Sequence, residues 1–233
     1  KHNVLIDNIV VGEGIDGLLG YLVRLLISAG DDVVTSDGAY PTFNYHVSGF
    51  GGNLHKVPYL EDREDIVSLI KKAQLVDAKI IYFANPDNPM GTSLHGEKIV
   101  KALEDLPKGC LLILDEAYSE FAPASSLPNL EITDTRVVRL RTFSKAYGLA
   151  GARVGYAMAE KNLIKSFEKI RNHFGINRSA QKAAVEALSD NQWLLEMVEK
   201  VEEGRQRIYK IAASNNLKSI TSSTNFVAID CDR

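Results

Sequence analysis

Short β-rich apolar runs alternate along this chain with stretches whose apolar residues recur at helical spacing. The runs at 8–11, 32–35, 54–57, 79–83, 111–114, 137–140 and 154–157 predict strands. The stretches at 16–27, 64–72, 96–106, 160–171, 179–188 and 191–213 predict helices. Strands separated by helices imply βαβ units. The expected class is α/β, a three-layer αβα arrangement with a mostly parallel central sheet. Ile80-Ile81-Tyr82-Phe83 and Leu111-Leu112-Ile113-Leu114 are continuously apolar, as central strands of a sheet covered on both faces should be.

The pattern changes after Asp190. A long charged helix follows, with apolar positions at Leu194, Leu195, Met197, Val198, Val201, Ile208 and Ile211. The tail at 216–230 reads as a loop and then a strand. Residues 1–190 are therefore expected to form a large domain, and 191–233 to begin a smaller C-terminal one.

Composition narrows the function classes. A chain of 233 residues with 45% hydrophobic positions is long enough to bury an α/β core. A net charge of −3 gives no electrostatic reason to expect nucleic acid or an anionic membrane as partner. No apolar run approaches the ~18 residues that span a bilayer. Cys110 and Cys231 are far apart and need no disulfide, which fits a cytoplasmic protein. His46, His55, His95 and His173 lack metal-ligand spacing. The chain starts at Lys1 and stops at Arg233 just after an apolar run, and so reads as a piece of a longer protein.

In open α/β sheets ligands lie beyond the carboxyl ends of the strands. Polar clusters fall there after three predicted strands: Asn85-Pro-Asp-Asn-Pro89, Asp115-Glu-Ala-Tyr118 and Thr142-Phe-Ser-Lys145. The fullest motif is Arg141-Thr-Phe-Ser-Lys-Ala-Tyr-Gly-Leu-Ala-Gly-Ala-Arg153. Small residues surround Lys145, and Thr142, Ser144 and Arg153 could form an anion site. A lysine beside a phosphate site suits Schiff-base attachment of pyridoxal phosphate. Read alone, the same stretch is also a strand-to-helix turn with a surface lysine. Gly12-Glu-Gly14-Ile15-Asp16-Gly17 opens a helix and could cradle a phosphate, or could be a tight turn capped by Asp16. Phe43, in Tyr40-Pro-Thr-Phe43, could stack on a flat ring or belong to the core. Asp115 ends an apolar strand, where a carboxylate is costly without a cationic partner. A pyridinium, an arginine or a helix terminus would each serve.

Together these segments resemble the fold-type I, pyridoxal-phosphate-dependent aminotransferases, closest to the histidinol-phosphate aminotransferase group. The resemblance runs over about 4–229. Asn88 and Asp115 are 27 positions apart, and Asp115 and Lys145 are 30 apart, one strand plus connection each. The resemblance implies the large domain of that fold, with pyridoxal 5'-phosphate as cofactor. It makes Lys145 the Schiff-base lysine and proton carrier, and Asp115 the carboxylate on the pyridinium nitrogen. Asn88 and Tyr118 become ligands of the ring hydroxyl, and Phe43 the stacking aromatic. Gly14, Ile15, Asp16, Thr142, Ser144 and Arg153 become the phosphate ligands. Phe43 stands where the group often has Tyr, Ile15 and Gly17 where Ala and Glu are usual, and Met90 where Thr is common.

The resemblance also implies small-molecule amino-acid and oxo-acid substrates, a homodimer, and a ping-pong transfer between glutamate and an oxo acid or oxo phosphate such as the partner of histidinol phosphate. It places the substrate-carboxylate arginine beyond residue 233 and a tyrosine for the neighbouring subunit before residue 1. The 233 residues alone should then bind cofactor poorly and be inactive. Two other readings use the same residues: a decarboxylase or lyase, and a non-catalytic interaction domain. The intact set of Lys145, Asp115 and Arg153 argues against the last.

Overall fold

A computed structural model of the protein describes residues 4–231, so the outermost positions of the two expected domains, 1–3 and 232–233, lie outside the described residues. The strands are β1 (Ile9–Gly12), β2 (Asp32–Ser36), β3 (Asn53–Val57), β4 (Ile80–Ala84), β5 (Leu111–Asp115), β6 (Val137–Thr142) and β7 (Gly155–Met158). They form one seven-stranded sheet in the order β1-β7-β6-β5-β4-β2-β3. Every neighbouring pair is parallel except those of β7, which runs antiparallel to both β1 and β6. The sheet is thus mostly parallel, in line with the α/β expectation.

Alternation along the central strands explains why they read as continuously apolar. Ile80, Tyr82 and Ile113 enter a core on one face, with Leu18, Leu22, Phe43 and Val47. Ile81, Phe83, Leu112 and Leu114 enter a second core on the other, with Ile66, Leu69, Ile70 and Ile99. The first core is closed by α1 (Gly14–Leu26) and α2 (Pro41–Gly49), the second by α3 (Ile66–Val76) and α4 (Gly96–Ala102). The layers are therefore helix, sheet, helix. Further on come α5 (Lys161–Ser166), α6 (Arg178–Ser189), the 24-residue α7 (Asn191–Ser214) and the two-stranded sheet of β8 (Lys218–Ser219) and β9 (Ile229–Asp230). No helix among the described residues is long and apolar enough to cross a membrane.

Several elements differ from the sequence reading, among them the helix expected at 64–72, which spans Ile66–Val76. The helix expected at 96–106 stops at Ala102, and Leu103–Asp105 tightens into a 3₁₀ turn. The one expected at 160–171 stops at Ser166, followed by a 3₁₀ turn at Phe167–Lys169. Helix α2 was not expected. Its aromatic-rich, glycine-flanked sequence has little helical period, and only Phe43 and Val47, one turn apart, are buried. Its one legible signal is Pro41 in the first turn, where the missing N–H costs nothing.

Candidate active site

The carboxyl ends of β4, β5 and β6 and the start of α1 surround one cleft of about 180 Å³. Its walls include Ile15, Asp16, Asn88, Asp115, Tyr118, Thr142, Ser144, Lys145 and Arg153. Sheet register brings them together: Asp115 sits beside Ala84 of β4 on one side and Leu140 of β6 on the other. The three loops that follow these strands leave from the same edge.

Asp115 is 5% exposed. Its Oδ2 accepts from the Tyr82 hydroxyl at 2.8 Å, and its Oδ1 from the Ala117 amide at 3.0 Å. No positive side chain among the described residues pairs with it. Burial pushes this carboxyl up to about 6, held back in part by the Tyr82 bond. The Asn88 amide donates to the Tyr118 hydroxyl at 3.2 Å. Burial and the charge of Asp115 push that phenol up to about 12. The amine of Lys145 lies 5.1 Å from the centre of the Tyr118 ring. Phe226 meets the same ring edge-on at 5.4 Å, which fixes its plane from behind.

Asn85 braces the loop that carries Asn88. Its side-chain amide donates to the carbonyls of Leu94 and Ser126 at 3.0 and 2.8 Å and its carbonyl oxygen accepts from the Leu94 amide at 2.7 Å, so both ends of the loop are tied to one residue. Gly91 turns the loop at φ +77°, and a side chain there would press on Ser222 at 2.8 Å.

The anionic-ligand end is built around Arg153. It is in the left-handed region at φ 54°, a conformation that costs an arginine about 1 kcal/mol. From there its guanidinium donates to the Ala150 carbonyl at 2.9 Å and to the Ser144 hydroxyl at 3.5 Å, and lies 3.6 Å from the Asp16 carboxylate. The Ser144 amide donates to the Thr142 hydroxyl at 3.0 Å. Gly14 sits directly behind. Its φ is +81°, and a Cβ there would fall 2.6 Å from Nη2 of Arg153. Gly14 therefore does not line the cleft but makes room for the arginine that does.

Phe43 is a correction. It is fully buried and stacks on Tyr82, centroids 4.9 Å apart and planes at 15°, inside the core beneath the cleft. It does not reach the cleft, whereas Tyr40 does. Residue 43 is the third position of α2 and is turned inward by it, while Tyr40 precedes the helix at the strand edge. Sequence reasoning, blind to α2, did not foresee that Tyr40 rather than Phe43 borders the cleft. It also missed Tyr82, whose ring is core and whose hydroxyl is site. The pleat and the register explain its place: Tyr82 and Ala84 share a face of β4, and Ala84 is the register partner of Asp115.

A third feature was not expected. Glu116, fully buried on the opposite face of the sheet from Asp115, accepts from Arg139 at 2.6 and 3.0 Å and from Arg141 at 2.8 Å. Arg141 also donates to the Ser119 hydroxyl at 2.5 Å. This network locks β6 to the turn that carries Tyr118.

The family profile of aminotransferase class I and II matches residues 4–232 of the chain. The chain belongs to the class I and II aminotransferases. Histidinol-phosphate aminotransferase 2 of Carboxydothermus hydrogenoformans is 36% identical over the whole chain. The structure of histidinol-phosphate aminotransferase from Sinorhizobium meliloti in complex with pyridoxal-5'-phosphate is 52% identical over 97% of the chain, with a TM-score of 0.96. Aspartate aminotransferase of Thermus thermophilus, at 21% identity and a TM-score of 0.87, shares the fold. The chain spans 65% of the length of the first of these relatives and 62% of the second. The aminotransferase fold places the cleft described above at its strand ends, as open α/β sheets do.

Proposed function

We propose that the chain is the cofactor-binding part of a pyridoxal 5'-phosphate-dependent aminotransferase that moves an amino group between glutamate and the oxo phosphate related to histidinol phosphate. The observation that carries this reading is one cleft with an amine, Lys145, a buried carboxyl without a positive partner, Asp115, and an arginine-hydroxyl cluster, Arg153 with Ser144 and Thr142. A phosphorylated, aromatic, cationic-ring aldehyde satisfies all three. The names of the relatives supply the substrate. Residues 191–233 would begin a second domain, which the separate β8–β9 sheet and the long α7 support. The whole protein would be a cytoplasmic homodimer. An apolar groove edged by Val11, Val185 and Leu188 supports such pairing, since these side chains are 45%, 62% and 40% exposed.

The residues fit the cofactor. Asp115 would face its ring nitrogen, Asn88 and Tyr118 its ring hydroxyl, and Tyr40 its ring face. The backbone at Ile15 and Asp16, with Thr142, Ser144 and Arg153, would hold its phosphate at the start of α1, where the helix dipole favours an anion. When bound, the cofactor supplies an electron sink for the bond being broken at the substrate α-carbon. Nζ of Lys145 takes the α-proton and returns it one position away, acting as base and then acid. Asp115, ionised beside a cation, stabilises positive charge on the ring side of the cleft. Arg153 and its hydroxyl partners fix the phosphate end so that Lys145 acts at one point. Tyr118 braces the lysine from beneath.

The test is an amino-transfer assay on the full-length protein loaded with cofactor. Histidinol phosphate with 2-oxoglutarate should yield glutamate. Turnover of other amino donors but not of histidinol phosphate would replace the substrate. Loss of carbon dioxide without amino transfer would replace the reaction.

A further inference from the structure

Behind the Asn88 loop, outside the cleft lining, lies a second pair of buried acids. Glu64 is 4% exposed and Asp87 2%. Glu64 precedes α3; its Oε2 accepts from the Ser36 hydroxyl at 2.7 Å and its Oε1 from the Ala84 amide at 3.1 Å. Asp87 lies within the loop; its Oδ1 accepts from the Tyr59 hydroxyl at 2.8 Å and its Oδ2 from the Met90 amide at 3.0 Å. Each carboxyl feels the other's charge. Two buried carboxylates held only by neutral donors, with no cation between them among the described residues, are costly unless one keeps its proton.

Nothing else neutralises the pair. Tyr59 faces it from the segment after β3, Tyr82 from β4 and Asp87's own loop from above. These groups are neutral or acidic. Among the described residues no lysine, arginine or histidine forms an ion pair with either carboxyl. Each accepts from one hydroxyl and one amide, and burial raises Glu64 the more strongly, which favours the proton on Glu64.

We propose that Glu64 and Asp87 share a single proton at neutral pH and that this acid pair is a positioning device for Asn88. The Asp87 backbone amide donates to the Thr92 carbonyl at 2.9 Å and closes the loop, so the carboxyl pair anchors the residue immediately before Asn88 to β2 and β4. Burial raises Glu64 well above the usual carboxylate range, with the charge of Asp87 adding to it. Burial also raises Asp87, opposed by its Tyr59 and Met90 bonds. Glutamine at 64 keeps a donor toward Asp87 and has no proton to lose. Alanine at 64 leaves Asp87 buried and short of a partner.

The proton is independent of the cofactor; the positioning role rests on the proposed function, through Asn88. The full-length protein separates them. Without cofactor, the Tm of wild type should fall relative to that of E64Q as pH rises over about 5 to 8, because the unfolded chain releases a proton that the folded one retains. The folding constant of wild type should lose up to about tenfold per pH unit against E64Q in that window. D87N, which removes the other acid, should show a shallower slope than wild type. Parallel profiles for wild type and E64Q would overturn the shared proton. With pyridoxal phosphate as probe, E64Q should bind as wild type does, while E64A loses about tenfold at pH 7, the scale seen when support behind a ligand is removed. E64A binding as wild type does would overturn the positioning role. Failure of wild type itself to bind would overturn the cofactor reading and leave the pH result to judge the proton.

Discussion

The Tyr82 hydroxyl donates to Asp115 at 2.8 Å, and with one backbone amide it is all the polar support that this buried carboxyl receives from the described residues. Among the described residues no positive side chain pairs with it.

That arrangement makes the empty protein less stable than it could be. Asp115 is raised to about 6 by burial, above its unfolded value of about 4. Its contribution is fully present below about pH 4 and is lost as pH rises toward about 6. D115N should therefore stabilise the cofactor-free full-length protein at pH 7, by about 2–3 kcal/mol at most. Thermal unfolding of both forms across this range measures it. The same variant should lower turnover roughly a hundredfold or more, the scale of losing one preorganised charge partner. Equal stability of the two forms at pH 7 would contradict the account.

Tyr40 and Phe43 should part company. F43A opens a cavity under Tyr82 and should cost about 3–5 kcal/mol of stability. Y40A should leave stability within about 1 kcal/mol and weaken pyridoxal phosphate binding instead, while Y40F should retain it. Unfolding curves and cofactor titrations on the same three variants distinguish packing from stacking.

How far the sequence could be read depends on the kind of signal. Lys145, Asp115, Asn88 and Arg153 stand at strand ends and in glycine- and proline-rich turns, where chemistry and punctuation coincide. The parallel sheet was legible because the runs 80–84 and 111–114 are apolar on both faces. Phe43 was misplaced because α2 forms through tertiary burial of two side chains and Pro41, with no periodic stripe to announce it. Tyr82 was invisible for a different reason. In a strand buried on both faces, nothing in one sequence tells an aromatic that fills the core from one whose hydroxyl crosses to a neighbouring strand.

G14A should act through Arg153. A methyl group at φ +81° costs about 1–2 kcal/mol, and it would fall 2.6 Å from the guanidinium. Stability should drop by about that amount, and affinity for pyridoxal phosphate should fall more than affinity for pyridoxal, because only the phosphate needs Arg153. Equal losses for the two ligands would place the phosphate elsewhere.

Glu116 tests the scaffold beneath the site. E116A leaves Arg139 without its carboxylate and buried Arg141 with Glu120, 3.4 Å away, as its remaining carboxylate. Stability should fall by about 3–5 kcal/mol. E116Q should recover part of this, since its carbonyl oxygen still accepts. Chemical denaturation of the three forms is the check.

The central claim is that Lys145 is the amine that holds the cofactor. The direct measurement is borohydride reduction of the full-length protein with pyridoxal phosphate, followed by peptide mass spectrometry. The account predicts one stable pyridoxyl adduct, on the peptide containing Lys145, absent from K145A. An adduct on another lysine, or the same labelling in K145A, would contradict it.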